Sequence, residues 1–242
     1  MNLGEKIFLY CERGQDPSFW AEPVNALTNA AFIIAAMVAT RDYLAAPPER
    51  RTASAAALVA ITYVIGIGSF LFHTYATRWA SLADQIPISV FMLTYFGYLL
   101  RRYLGLNWLF VLIGLALFFL TIRYAATIEC RQAGLLPITA RSGARCLNGT
   151  IAYVPAFIAL AASSLGLALI RHPAWRLLGV ASVVFLVSMT FRTLDLELCE
   201  LSRVGGHLFG THFLWHVLNA LTLYLLLRAS ILHGRPYDKG NV

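Results

Sequence analysis

The sequence predicts an all-α fold, a bundle of seven transmembrane helices in a single domain. Hydrophobic residues make up 59% of the 242 residues and charged residues only 13%, whereas a soluble domain carries about 25% charged residues. Long apolar segments recur along the chain and are separated by short polar loops. Seven spans of about 20 residues each use most of this length and leave no room for a second, soluble domain.

The predicted spans follow one another with little sequence between them. The first begins at Pro23, since proline fits the first helical turn, where its missing N–H costs nothing. Arg101 and Arg102 close the third span, and the longest loop, residues 123–150, separates the fourth from the fifth. The predicted spans are residues 23–44, 53–74, 82–100, 106–122, 151–170, 175–191 and 208–232.

An odd number of spans places the two termini on opposite sides of the membrane. The loops after spans 1, 3 and 5 and the C-terminal tail hold ten of the 19 Lys and Arg residues, and the other side keeps five when residues 123–150 are left out. Long loops weigh less in the positive-inside rule. We therefore expect the N-terminus outside and the C-terminus in the cytoplasm, and the short loops favour a bacterial inner membrane. The net charge of +7 indicates basic loops that face anionic lipid. No pattern typical of nucleic-acid binding is present.

Five polar residues on three spans reach the same membrane depth in this topology. Ser69 and His73 lie near the outer end of span 2, and Asp84 lies at the outer start of span 3. His212 and His216 lie in the first turns of span 7, four residues apart, so that both project from one helix face. Ionisable residues inside spans are costly and usually functional. The pattern predicts an active site near the outer face.

The three histidines match the donor set of a catalytic zinc ion. Three neutral imidazoles with a fourth position open to water are the recurring arrangement, and zinc lowers the pKa of water to about 7. Histidines that only bind neighbouring helices would show the same H-x3-H spacing, so spacing alone leaves both interpretations open. Asp84 and Ser69 at the same depth favour a metal site.

All four cysteines fall on the outer side in this topology. An even number of cysteines on an oxidising face fits disulfides, although four cysteines allow three pairings and four free thiols remain an alternative. We expect Cys130 with Cys146, which would tie the long loop, and Cys11 with Cys199, which would tie the N-terminus to the loop before span 7.

Three neighbouring features have structural interpretations. Trp215, between the two histidines of span 7, is expected to wall the pocket. Gly66 and Gly68 should allow a neighbouring helix to approach closely beside the site. The acidic stretch around Asp195 indicates an amphipathic surface turn in preference to a group that gathers cations.

Taken together, the motifs resemble the alkaline ceramidase family. Ser69-Phe-Leu-Phe-His73 is followed after ten residues by Asp84 and Gln-Ile-Pro, and the last span contains Thr-His212-Phe-Leu-Trp-His216. The block FWAEPVNALTN, residues 19–29, resembles the opening segment of the family. The family belongs to a superfamily of seven-span metal-dependent hydrolases that includes adiponectin/progestin-type receptors. The resemblance covers nearly the whole chain in span order.

The resemblance implies a function for each motif residue. His73, His212 and His216 would bind Zn2+. Asp84 would act as general base on the zinc-activated water and then as acid toward the leaving amine. Ser69 would lie beside the metal, stabilising the oxyanion or ordering water. The reaction would be hydrolysis of a membrane lipid, ceramide, to a fatty acid and a long-chain base.

The resemblance also implies a possible calcium site. The family forms this site from its N-terminal acidic segment and the start of span 1. Glu12 and Glu22 match two of its acidic positions, and Asp16 would be a substitute ligand. Leu9 stands where the family has an acid and Gly14 where it has Asn, yet Ca2+ takes six or more oxygen ligands. The alternative for Glu22 is a cap on span 1, favoured by the helix dipole.

Other functions share parts of this pattern. A zinc-activated water would also hydrolyse another acyl lipid, such as an N-acyl amino lipid or a phospholipid. A lipid-binding receptor or sensor would use its zinc structurally, but Asp84 and Ser69 beside the ligands argue against a closed structural site. A transporter would distribute its charged residues through the bilayer, and here they cluster at one face.

Overall fold

A computed structural model describes residues 2–129 and 146–234. Within these ranges the fold is all-α apart from one short hairpin. Six helical segments are long and apolar enough to span a membrane. The protein is therefore a polytopic helical membrane protein, which confirms the predicted fold class at this level.

Eight α-helices form the bundle in the described part of the chain. They are α1 Pro23–Thr28, α2 Ala30–Ala45, α3 Ala53–Tyr75, α4 Arg78–Tyr98, α5 Trp108–Ala125, α6 Val154–Leu169, α7 Trp175–Leu194 and α8 His212–His233. Helices α1 and α2 form one candidate span, Pro23–Ala45, broken at Asn29. The shorter elements are 3-10 helices at Pro48–Arg50, Cys146–Tyr153 and Glu200–Ser202, a π-helical turn at Leu99–Tyr103, and strands β1 Arg203–Val204 and β2 His207–Leu208.

Two helix starts differ from the predicted spans by four residues, more than any other helix boundary. Helix α4 begins at Arg78, before the predicted residue 82, because Ala76, in the left-handed region with φ 47°, and Thr77 are enough to reverse the chain after α3. Helix α8 begins at His212, after the predicted residue 208, because His207–Leu208 pairs with β1.

Helix α4 is not among the six apolar segments, although it has 21 residues. Ser81, Asp84 and Gln85 lie in its first half and make it more polar than the others. The helix packs along α3. It is this polar half of α4 that faces the candidate site.

Helix α8 lies at the centre of the bundle. Of the residues in its most apolar stretch, 61% are buried, against 17% in α5. The helix packs between α2 and α7. Small residues such as Ala36, Ala39 and Ala220 are almost fully buried there and permit close helix packing. Residues in the first turns of α8 are consequently enclosed by neighbouring helices.

The N-terminal segment crosses the end of the bundle at which α3 ends and α8 begins. Cys11 forms a disulfide with Cys199, which confirms one predicted pair and excludes four free thiols. The Ile7 N–H donates to the Ala76 carbonyl at 2.7 Å, at the turn between α3 and α4. The other predicted pair includes Cys130, which lies outside the described residues.

Candidate active site

Three histidines from two helices converge at the end of the bundle that the N-terminal segment crosses. His73 lies at the end of α3, and His212 and His216 lie in the first turns of α8. One ring nitrogen from each lies within 4.8 Å of the other two, and all three side chains are buried. His73 Nε2 and His212 Nδ1 have no hydrogen-bond partner among the described residues. Because buried polar atoms are normally satisfied, these unpaired nitrogens fit a bound metal ion.

Two polar residues orient the histidine rings through their other nitrogens. Glu22 Oε2 lies 2.6 Å from His73 Nδ1, and Thr28 Oγ1 lies 3.0 Å from His216 Nδ1. A carboxylate on the second ring nitrogen fixes the tautomer of a metal-binding histidine and increases its basicity. With Nδ1 paired to Glu22, His73 Nε2 is the ring nitrogen that could bind a metal ion.

Asp84 lies beside this cluster, on α4. Its side chain is buried, and Oδ1 has no hydrogen-bond partner among the described residues. Ser69, His73 and Arg192 are close enough to interact electrostatically with its carboxyl group. The structure thus brings together Ser69, Asp84 and the three histidines, as the sequence predicts.

Gly68 allows α3 and α4 to touch at Asp84. A Cβ on Gly68 would lie 2.0 Å from the carbonyl oxygen of Ala83 and 3.3 Å from the backbone nitrogen of Asp84. A Cβ on Gly66 would lie 2.7 Å from Ile33 Cδ1. The predicted close helix approach is confirmed, and at Gly68 it involves backbone atoms, which cannot move aside as a side chain can.

A cavity of about 790 Å³ opens at the cluster. Asp84, Arg192, His212, Trp215 and His216 are among its lining residues, so Trp215 walls the pocket as predicted. This volume lies within the range of ligand sites in proteins, about 300–1,000 Å³.

A second, apolar cavity of about 80 Å³ lies among helices α3 to α8. It shares the lining residues Ile88, Met92 and Tyr153 with the larger cavity. A polar compartment next to an apolar one suits a ligand with a polar head and a hydrocarbon chain.

The comparison with known families agrees with this geometry. A sequence model described as ceramidase matches residues 10–234. The chain belongs to the ceramidase family. The matched range contains the whole histidine cluster with Ser69, Asp84 and Glu22. No curated protein matches the chain. Family membership supports a hydrolase of ceramide-type lipids.

The ceramidase site includes an arginine that the sequence analysis did not single out. The Arg192 guanidinium lies over the rings of Tyr10, Tyr153 and Trp215, with centroid distances of 5.7, 5.4 and 5.3 Å. Its Nη1 donates to Tyr10 Oη at 3.1 Å, and the Tyr10 ring stacks on His212 at 3.7 Å between centroids. The predicted sixth span ended at residue 191 and so left Arg192 outside it, whereas α7 continues to Leu194 and places Arg192 in its last turn.

Asp195 also belongs to the site, and the expected surface turn is wrong at this residue, which is 1% exposed. Its Oδ1 accepts hydrogen bonds from the backbone N–H groups of Thr211 and His212 at 2.8 and 2.9 Å. Its Oδ2 accepts from the Cys11 N–H at 3.0 Å. Asp195 therefore caps the start of α8, where N–H groups lack intrahelical partners, and holds the disulfide segment against it.

Gly210→Ala is expected to disturb this cap and lower metal content. Gly210 has φ +66°, and its Cβ would lie 2.2 Å from Asp195 Oδ1 and 2.7 Å from Cys11 Cβ. The cost of this overlap adds to a backbone strain of about 1 kcal/mol or more. Gly205→Ala is the matched control, since Gly205 has φ +57° and open space around its Cβ. Thermal unfolding and metal analysis compare the two, and equal losses would contradict the expectation.

Glu12 and Glu22, the candidate calcium ligands, both have their oxygens engaged by N–H donors. Glu12 Oε1 and Oε2 accept from the backbone N–H groups of Val24 and Asn25 at 2.7 and 2.8 Å. Glu12, and not the side chain of Glu22, thus caps α1. Burial raises the pKa of Glu12 to about 6, against the effect of these donors.

The carboxylate of Glu22 lies between two basic groups. Its Oε1 accepts from Arg13 Nε at 2.5 Å, while Oε2 contacts His73 and the Asn25 amide. Burial alone raises the pKa of Glu22, but His73 and Arg13 more than offset this effect and hold the pKa below its usual range. Neither glutamate presents free oxygens, so the residues do not fit a calcium site.

Proposed function

We propose that the protein is a zinc-dependent ceramidase that hydrolyses ceramide to a fatty acid and a long-chain base. The observation that carries the proposal is the buried histidine cluster with unpaired ring nitrogens, beside a buried carboxylate with an unpaired oxygen. Membership of the ceramidase family supports the choice of substrate class.

The histidines and Asp84 have complementary roles in this proposal. His73, His212 and His216 would hold Zn2+, which supplies Lewis-acid polarisation and a water of lowered pKa. Asp84 takes a proton from the attacking water and delivers it to the nitrogen of the leaving amine, since an amide nitrogen is a poor leaving group until it is protonated. Ser69 stabilises the developing oxyanion or orders the water beside Asp84.

Helix α4 completes a seven-span topology in this proposal. Only Ala76 and Thr77 separate α4 from α3, so the chain reverses there and α4 returns through the same layer. The loop charges favour an outer N-terminus and a cytoplasmic C-terminus in a bacterial inner membrane. The cavity then lies near the outer face, where a lipid enters sideways from the bilayer with part of its chain in the apolar cavity.

One observation favours a second candidate substrate, an acyl lipid with an anionic head such as an N-acyl amino lipid or a phospholipid. Arg192 lines the cavity, and no described carboxylate lies within 4.0 Å of its guanidinium nitrogens. Arg192 is partly buried, and a positive charge taken from water without an ion-pair partner is costly. An anionic headgroup would supply that partner.

The test is hydrolysis of labelled ceramide by the purified protein, combined with metal analysis of the same sample. Stoichiometric zinc with release of fatty acid from ceramide is the expected result. A panel of N-acyl amino lipids and phospholipids is assayed in parallel, and faster turnover of an anionic lipid would favour the second candidate. Folded protein that binds no zinc would overturn the mechanism.

Gly68→Ala is expected to lower turnover while the histidines keep their metal. The added Cβ pushes α4, and Asp84 with it, away from α3, whereas the three histidines lie on α3 and α8. Misplacement of a catalytic group by about 1 Å can cost about 100-fold in rate. Gly166→Ala on α6 serves as the control because nothing lies within 4 Å of its Cβ position. Unchanged turnover in Gly68→Ala would mean that this helix contact does not position Asp84.

A further inference from the structure

Arg13 is buried at the centre of the N-terminal segment, where it is 3% exposed. Its Nε donates to Glu22 Oε1 at 2.5 Å, and its Nη1 donates to the carbonyl oxygens of Asp16 and Ser18 at 3.0 and 2.7 Å. These three acceptors come from the loop before α1 and from Glu22, the residue directly before the helix. Arg13 thus closes the N-terminal loop on itself.

The other terminal nitrogen of the guanidinium, Nη2, contacts helix α3. Arg13 Nη2 donates to the carbonyl oxygens of His73 and Thr74, at 2.8 and 3.3 Å. Both residues lie in the last turn of α3, where carbonyl groups lack intrahelical partners. One cation therefore joins the N-terminal loop, the start of α1 and the end of α3.

The acceptors around Arg13 are the kind of oxygens that Ca2+ prefers. They are one carboxylate and four backbone carbonyls, and calcium sites in proteins combine these same ligand types. Here the positive charge among these oxygens is the guanidinium of Arg13, which is part of the protein chain itself. A divalent ion placed among them would meet both the repulsion of the guanidinium and N–H groups that already use the oxygens.

We propose that Arg13 is an internal cation that takes the place of a bound calcium ion, so that the protein neither binds nor requires Ca2+. Arg13 also acts as a positioning residue for His73, through Glu22 on the Nδ1 side of the ring and through the His73 carbonyl. Calcium independence follows from the donor set alone, whereas the effect on His73 rests on the proposed metal site.

The first experiment compares the purified wild-type protein in millimolar Ca2+ and in EGTA. The thermal unfolding midpoint is expected to be the same in both solutions, and the calcium content after dialysis is expected to be at background. A higher midpoint in Ca2+, or stoichiometric bound calcium, would overturn the proposal. Neither readout depends on ceramide turnover, so this result stands apart from the test of the hydrolase.

The second experiment replaces the arginine. Arg13→Gln removes the charge and leaves the Glu22 carboxylate without its guanidinium partner, so we expect a lower midpoint and a lower zinc content. Added Ca2+ is expected to restore part of both losses in Arg13→Gln, and Mg2+ to restore neither, since Mg2+ demands a tighter octahedral geometry. Arg13→Lys keeps the charge but cannot engage five oxygens, and its losses should be intermediate.

The matched control is Arg78→Gln. Arg78 forms an ion pair with Glu5 at 2.6 Å on the same side of the protein, but both side chains are solvent-accessible, 32% and 54% exposed. Exposed ion pairs contribute little, so this variant should keep its midpoint and zinc. If Arg13→Gln behaves like Arg78→Gln, with no calcium response, Arg13 is not the internal cation proposed here.

Discussion

His216→Ala is expected to abolish both zinc binding and lipid hydrolysis. His216 is one of only three histidines whose ring nitrogens meet in the described structure, and alanine removes the donor without adding another. Two imidazoles cannot retain a catalytic zinc ion that needs three protein ligands. Zinc content by elemental analysis should fall to background, and turnover of labelled ceramide should fall with it.

His207→Ala is the matched control for this variant. His207 lies on β2, exposed and five residues before the first histidine of α8, so its removal should leave zinc and turnover unchanged. Thermal unfolding of both variants separates loss of metal from loss of fold. Full zinc content in His216→Ala would show that the histidine cluster does not hold the metal.

Asp84→Asn is expected to keep the zinc and lose most of the turnover. Asparagine has nearly the same shape, but its amide cannot accept the proton of water and return it to the leaving amine. General acid–base catalysis by a positioned side chain contributes about 100- to 10,000-fold, and kcat should fall by a factor in this range. Single-turnover assays on zinc-loaded protein measure the chemical step directly.

Asp42→Asn controls for the loss of a partly buried carboxylate elsewhere. Asp42 lies near the far end of α2, where its Oδ2 accepts a hydrogen bond from Tyr224 Oη at 3.0 Å, a bond that an amide oxygen can also accept. Its turnover should match that of the wild type. Wild-type turnover in Asp84→Asn would remove this residue from the mechanism, and zinc loss would assign it to the metal site.

Much of the candidate site could be predicted from the sequence because its residues lie on regular helices. The spacing of His212 and His216 places both on one helix face, and the order of spans places His73 and Asp84 at the same depth. The structure brings these residues together. Their roles in catalysis stay predictions.

The sequence analysis was least successful in the loops and in the N-terminal segment. Asp195 was expected at the surface, yet it caps α8 and contacts Cys11, 184 residues away in the chain. Arg13 contacts the carbonyl of His73 across 60 residues. These partners have no periodic or local signal, because loop residues meet through the disulfide and the packing of the helix ends.

By itself, the sequence determined the apolar helices, their approximate limits and the shared helix face of His212 and His216. These features depend on composition and on the helical repeat. Only the tertiary structure decided that Arg13 lies among the oxygens of the N-terminal segment and of the end of α3. It also decided which carboxylates cap α1 and α8 and where Arg192 meets the cavity. Each of those outcomes depends on oxygens and N–H groups from distant segments. Which of them pair is decided only when the helices pack and their ends exclude water.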